Sequence, residues 1–538
     1  MTSSRDIPLN EKNRLQNLMK KAYIPGMSIA SVKNGELDFA TTLGVSDVES
    51  QSSANNESIF WACSLSKPVF AYLVIKLIES GKLGDDFNLD SNLWDTEHFG
   101  EIGERKPLTP RMILSHQTGL PNQGPPTFSF NPGEAFSYSG EGYFYLQKII
   151  EERTHLSLEE LAQQTLFRPL GMTNSTYLRP DAEKIVENHN EQMQHESRIP
   201  TVKANDSNAA ASLHTTASDY AKFISACLHD KAFAQMLSPE VSTTLDRDAT
   251  NKNVTPEKLE LVDWGLGLGL QKPNQENEST IAFHWGHGSG AKTFVAINKE
   301  TNSAVVYLTN SANGLAIAED VVMPTVGNIH ASMDYLSAKY DYEKYDSPEF
   351  TAKHVEEKKE IDPSKSKMRK LWLDELIHAK AHPLEISNNK LQAFIGEYGP
   401  QFPMSILLMD DRSLQLVLYG QKHQLIPINE TTFASKNDLS IRLEFDKEKS
   451  QVTTHFLYQD KITQSLLSEN KQSHLNEKIK PHPFSRKLEQ KSTLAKHDRG
   501  QSNSGYITKK NKPIDPADEQ MVKSAFGQGS NTAKTFRK

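Results

Sequence analysis

The sequence predicts a mixed α/β chain of more than one domain, and three observations carry that prediction. Residues 9–78 read as helix, hairpin, helix; strands return over 293–309; and from 391 to about 467 short strands of alternating pattern follow one another across polar turns. At 538 residues the chain exceeds what one ordinary hydrophobic core organises. The expected division is a first domain over 1–335, a charged helical linker over 336–388, a small antiparallel β-domain over 389–468 and a basic, disordered tail over 469–538.

Each element has a local reason. Leu15, Leu18 and Met19 share one side of a helix over about 9–22, which Ile24-Pro25-Gly26 ends. Strands 27–32 and 37–43 are joined by Lys33-Asn34-Gly35-Glu36, and Asn-Gly tolerates positive φ at both turn positions. The next helix carries Val69, Phe70, Leu73, Val74, Leu77 and Ile78 at helical spacing and stops at Ser80-Gly81. Residues 108–116 form a short helix with Thr109 as cap and Pro110 at its first position; His116 is expected to end it and bond a neighbouring loop. The turn Asn131-Pro132-Gly133-Glu134 leads through Phe136-Ser137-Tyr138-Ser139-Gly140 into a helix over about 142–153. Helical segments at 156–166 and 215–228, the latter capped by Thr216, flank a polar loop over 181–208, where His189 and His195 are expected on solvated surface. Asp263 to Leu270 alternates glycine and leucine, which suits a strand approached closely by another backbone. After strands 293–297 and 304–309, a helix is expected over about 317–340, and the mixed charges of 356–360 read as linker or solvated helix. The β-unit is expected to hold strands at 405–409, 414–418, 424–428, 441–445 and 452–458.

Composition narrows the class. A net charge of -8 and a pI near 6.2 argue against a nucleic-acid protein, although the tail alone carries about +9 and the remainder about -17. Two cysteines, Cys63 and Cys227, build no disulfide framework and fit a reducing compartment. The first residues lack a signal-peptide pattern, and no segment reaches the ~20 apolar residues of a membrane span. A cytoplasmic protein is therefore expected, with export by a non-classical route as the alternative.

The chemistry centres on Phe60-Trp61-Ala62-Cys63-Ser64-Leu65-Ser66-Lys67. Ser64 and Lys67 lie three apart, so a helix starting here puts both on one face. A hydroxyl is a poor nucleophile at neutral pH, and a neighbouring amine takes its proton once burial lowers the amine's pKa. Ser364 to Lys367 and Ser468 to Lys471 share the spacing, but in polar surroundings; only Ser64 has an aromatic approach and an apolar helix behind it. A tyrosine beside a lysine in an apolar site is a good shared base, since the ammonium stabilises the phenolate, and Tyr138 sits at a loop-to-helix junction that reaches a cleft. His284 and His287, three apart, lack the cysteine or carboxylate that would complete a zinc set, so neither metal nor cofactor is expected.

Taken in order, these stretches resemble the serine β-lactamase and penicillin-binding protein family, most closely its class C β-lactamase, esterase and D-stereospecific peptidase branch. Trp61-Ala62-Cys63-Ser64-Leu65-Ser66-Lys67-Pro68 is similar to the nucleophile motif, Phe136-Ser137-Tyr138-Ser139-Gly140 to the tyrosine motif, and Gly286-His287-Gly288-Ser289-Gly290 to the third motif, with His in place of Lys. Leu114-Ser115-His116-Gln117-Thr118-Gly119-Leu120-Pro121 and Pro169-Leu170-Gly171-Met172 match landmarks between them. The resemblance covers about residues 9–330. It implies an α/β (α+β) sandwich, an antiparallel sheet flanked by helices plus a helical lobe, with the site between them. Ser64 would attack a carbonyl, Lys67 and Tyr138 would shuttle the proton, and His287, Gly288 and Ser289 would line the opposite wall. The N–H groups of Ser64 and Gly290 would form the oxyanion hole. An acyl-enzyme would form and water would release it, without metal or cofactor. Phe394-Ile395-Gly396-Glu397-Tyr398 in the β-unit resembles the small lipocalin-like domain that some relatives carry.

Two departures direct the expected substrate. Gly140 stands where the tyrosine motif usually ends in Asn, and the third motif lacks the lysine that would meet a carboxylate. Both favour a small ester, amide or peptide substrate over β-lactamase or D,D-carboxypeptidase action. The alternative reading is a catalytically weak binding or effector protein that meets a protein partner through its C-terminal region.

Overall fold

A computed structural model gives the structure of the chain and describes residues 7–93, 107–196, 207–246, 256–340, 342–355, 363–398, 404–418, 421–439, 441–446, 451–456 and 466–469. The basic tail lies outside the described residues. Those described fall in one compact unit.

A nine-stranded antiparallel sheet organises the first part. Its strands are β1 (Gly26–Lys33), β2 (Glu36–Asp47), β3 (Ser52–Ser53), β6 (Val241–Ser242), β7 (Val262–Trp264), β8 (Gly269–Gln271), β9 (Ile281–Gly288), β10 (Ala291–Asn298) and β11 (Ser303–Thr309), while β4 (Phe60–Trp61) and β5 (His214–Thr215) pair separately. The sheet order is β3-β2-β1-β11-β10-β9-β8-β7-β6. The Asn-Gly hairpin forms as read, with Asn34 at φ 52° and Gly35 at φ 79°.

Alternation along the central strands divides the core in two. Ala282, Val295, Ile297, Val306 and Leu308 face the helical lobe and pack with Val69, Leu73, Tyr143 and Ile224. Phe283, Trp285, Phe294, Val305 and Tyr307 face the other way, onto the Leu9–Lys21, Ala318–Val326 and His330–Tyr340 helices through Leu15, Val322 and Tyr335. The Ser66–Glu79 helix is buried almost all round, from Ser66 through Ile75 and at Leu77, so it runs through the lobe's centre.

Three readings change. The helix expected over 317–340 breaks into Ala318–Val326 and His330–Tyr340, because Gly327 takes φ 97° and reverses the chain. The glycine-leucine stretch is a hairpin rather than one strand: Gly267, at φ 78°, turns between β7 and β8, and a Cβ there would lie 2.7 Å from that of Ala71 on the Ser66–Glu79 helix. His189 is buried, accepting the Val48 N–H on Nε2 at 3.1 Å and meeting the Asn310 carbonyl through Nδ1 at 3.0 Å.

The C-terminal β-unit is an antiparallel meander of β12 (Gly396–Tyr398), β13 (Met404–Leu408), β14 (Leu414–Leu418), β15 (Gln421–Pro427), β16 (Thr432–Ser435), β17 (Ile441–Asp446), β18 (Gln451–Phe456) and β19 (Leu466–Glu469), paired in that order. Ile406, Leu416, Phe433, Leu443 and Phe445 fill its interior. The Pro363–Ala381 helix joins it to the first part: Trp372 and Leu376 pack with Ala182, Ala434 and Leu439, and Lys380 pairs with Asp181 and Glu183 at 3.0 and 2.7 Å. That loop in turn meets the strand leading to Ser64, since Ile59 donates to the Lys184 carbonyl at 2.8 Å and Val186 to that of Ile59 at 3.0 Å.

Candidate active site

The segment leading to Ser64 is held against residues 213–215 before it turns. Phe60 and Trp61 pair with Thr215 and His214, and Ala62 donates to the Leu213 carbonyl at 2.8 Å. Cys63 then takes φ 51°, a left-handed conformation that is uncommon outside glycine and asparagine. The 3-10 turn Cys63–Leu65 follows and runs straight into the Ser66–Glu79 helix. Ser64, half-buried, therefore stands in the first turn of a helix, where backbone N–H groups lack intrahelical acceptors.

Lys67 lies one turn on. Its Nζ is 3.1 Å from Ser64 Oγ and donates to the Ala210 carbonyl at 2.8 Å. With 1% of the residue exposed, desolvation brings its pKa from the ordinary 10.5 to about 7. At neutral pH a large share of the amine is thus unprotonated and able to accept.

Tyr138 closes the triangle. Its ring centroid is 4.7 Å from Lys67 Nζ, and its hydroxyl hydrogen-bonds Ser64. Burial holds the phenol well above its ordinary pKa, with the bond to Ser64 opposing that shift. Two histidines set its place. The His116 carbonyl accepts the N–H of Ser137 at 2.9 Å and its Nδ1 accepts that of Ser139 at 3.0 Å, so one residue grips both neighbours of Tyr138. The His116 ring lies 4.3 Å from that of Tyr138. His116→Ala is expected to lower stability by about 2 to 4 kcal/mol, from a cavity and an unpaired N–H, and to lower turnover as Tyr138 loses register; urea unfolding and ester kinetics measure both.

The second histidine is His284, two residues before the stretch that resembles the third motif. Nδ1 lies 2.8 Å from the Trp285 carbonyl, which can only accept, so Nδ1 carries the proton and the Nε2 lone pair faces Tyr138 Oη at 3.5 Å. Burial and the nearby Lys67 lower its pKa to about 3, which keeps the ring neutral. Strand alternation was the available signal: His284 shares a face with Gly286 and Gly288, whereas His287 is on the other.

The third stretch is therefore arranged differently from the expectation. Beyond Phe283, where pairing with β8 ends, the edge of β9 runs along the Cys63–Leu65 turn. A Cβ on Gly286 would lie 2.6 Å from the Ala62 carbonyl and 2.9 Å from Cys63 Cβ, and one on Gly288 2.8 Å from Cys63 Sγ. Gly286→Val is expected to push the turn off the sheet and abolish turnover, which ester assays alongside circular dichroism would register. Gly290 sits instead in the β9–β10 turn at φ 60°, against His189 and Asn188, and the Ser289 carbonyl accepts from the Asn188 amide at 3.1 Å. The His287 ring stacks on Tyr340 at 4.8 Å and meets Tyr342 Oη at 3.1 Å. At Gly140 a Cβ would lie 2.5 Å from the Asn122 carbonyl and 3.0 Å from its Oδ1, which accounts for glycine there.

A half-buried serine, an amine of lowered pKa and a phenol thus stand together where a helix N-terminus meets a strand edge. No group of side chains fit to hold a metal occurs among the described residues. The β-lactamase family description matches residues 12–321, and the chain belongs to that family of serine hydrolases, as its motifs imply. Penicillin-binding protein 4* of Bacillus subtilis (strain 168) is 22% identical over 497 residues, covering 84% of this chain and 97% of its own. Among solved structures, the octameric penicillin-binding protein homologue from Pyrococcus abyssi aligns with TM-score 0.46 at 18% identity, over 86% of this chain and 99% of that one. D-alanine carboxypeptidase AmpC from Burkholderia cenocepacia aligns with TM-score 0.46 at 17% identity, over 58% and 97%.

Proposed function

We propose that the protein hydrolyses a small ester or amide through an acyl-enzyme on Ser64. The observation that carries this reading is the 3.1 Å approach of a dehydrated Lys67 amine to the Ser64 hydroxyl. Neutral Lys67, with Tyr138 beside it, takes the hydroxyl proton as Ser64 Oγ bonds the carbonyl carbon. The carbonyl oxygen becomes an oxyanion, met by the N–H of Ser64 and by a main-chain N–H of the β9 edge at His287, the residue between the two glycines packed on the turn. Collapse breaks the bond to the leaving group, which takes the proton back from the Lys67–Tyr138 pair. Water repeats the sequence on the acyl-enzyme, releasing the acid and restoring Ser64. Because Lys67 must be neutral, kcat/KM is expected to rise as pH passes upward through about 7.

Esters and simple amides are favoured over β-lactams and D,D-peptides. Gly140 brings no side-chain amide, and Lys292 on β10 spends its Nζ on the Gly288 carbonyl at 2.9 Å. We assign the hydrolase to residues 1–335 and the accessory β-domain to 389–468; the buried thiols of Cys63 and Cys227 support residence in a reducing, cytoplasmic compartment. Among the described residues no helix is long and apolar enough to cross a membrane. A panel of p-nitrophenyl esters, nitrocefin and a D-alanyl-D-alanine peptide tests the substrate class. Turnover of short esters with little of the other two is expected, and preferential cleavage of nitrocefin or the peptide would overturn the choice.

A further inference from the structure

We infer that Lys339, clamped by Asp246, is a positioning residue for Tyr138 that holds a fixed cation beside the phenol, an assignment resting on the Ser64 acyl-enzyme reading. Lys339 lies past residue 321, where the family match ends, near the end of the His330–Tyr340 helix. That helix packs Tyr335 against Trp264 and Trp285, the aromatic wall behind Tyr138. The Lys339 side chain is 5% exposed, and its Nζ is 3.0 Å from Asp246 Oδ2, itself fully buried. Tyr335 Oη donates to the same carboxylate oxygen at 2.9 Å. The backbone of Asp246 also bridges to Phe136, two residues before Tyr138, so the clamp and the tyrosine segment are tied together.

The ammonium is thereby fixed 5.6 Å from the ring centroids of both Phe136 and Tyr138 and 5.8 Å from that of Tyr335. Tyr138 is then faced by two amines, Lys67 on the Ser66–Glu79 helix and the ion-paired Lys339 on the His330–Tyr340 helix. Stability alone does not account for such a pair, since a buried ion pair is often no better than an apolar substitute. Its placement over Tyr138 does: as the phenol shares its proton with Ser64 and Lys67, negative charge grows on the ring and oxygen, and an immobile cation in a dry site favours that charge.

The test compares the full chain with Lys339→Met/Asp246→Asn, which removes both charges and leaves neither orphaned, and with Lys339→Arg. Each is labelled with a fluorophosphonate and followed by intact mass, with kcat and KM measured on a p-nitrophenyl ester. The double variant is expected to melt near wild type, label about tenfold more slowly and lose kcat at unchanged KM, while Lys339→Arg stays within about threefold. Lys339→Gln against Lys339→Arg gives the same comparison if the double variant does not fold. Wild-type labelling by the charge-free variants, or an arginine variant as slow as they are, would overturn the assignment and leave a packing role. Wild-type protein that does not label at all would overturn the acyl-enzyme reading, and this inference with it.

Discussion

Replacing Lys67 by methionine is expected to lower kcat/KM on an ester substrate by about a thousandfold or more, since it removes the base that activates Ser64. Methionine keeps the volume and loses the amine. The variant should also be at least as stable as wild type near pH 6, and the sign follows from the shift. The folded-state pKa of Lys67, about 7, lies below its ordinary 10.5, so the folded chain binds fewer protons than the unfolded one between those values. Burying Lys67 therefore destabilises fully below pH 7, and the penalty fades as pH rises towards 10.5. Thermal unfolding of both proteins at pH 6 and pH 9 should show an advantage for Lys67→Met that shrinks with pH. A variant both inactive and less stable at pH 6 would mean that the amine is held charged by contacts other than those described.

Tyr138→Phe is expected to lower kcat by about a hundredfold while KM moves little, because the lost hydroxyl acts on the proton in flight and not on substrate binding. Combined with Lys67→Met it should cost little beyond the lysine change alone, as groups that act as one unit are not additive. His284→Phe should fall between wild type and Tyr138→Phe, having removed only the acceptor that aims the phenol. Single-turnover acylation rates for wild type and the four variants separate these outcomes. Strictly additive losses for Lys67 and Tyr138 would argue that they serve different steps.

Parts of the site held together by local spacing were legible in the chain. Ser64 and Lys67 are one helical turn apart, and the serine-flanked Tyr138 opens a helix, so neighbouring residues suffice to single them out. Thr109 and Thr216 cap their helices as read, each accepting the N–H three residues on. What escaped was whatever the tertiary fold decides. His284 and His287 look equivalent in a glycine-rich run, and only the pairing of β9 with β10, His284 opposite Val295, fixes which of them faces the lobe. Lys339 sits 201 positions after Tyr138 in a stretch without a motif, and nothing local marks it as a neighbour. His189 reads as polar loop, yet it is buried because two backbone partners wait for it just past the ends of β2 and β11. The strands β12, β16 and β19 are too short for alternation to stand out, and the sheet that pairs them supplies what their own sequences lack.

On this mechanism Ser64 is an activated nucleophile. Incubating the wild-type chain and Ser64→Ala with a fluorophosphonate and weighing each intact tests it most directly. One adduct on the wild type and none on Ser64→Ala is the predicted result; equal labelling of the two, or none on correctly folded wild type, would contradict it.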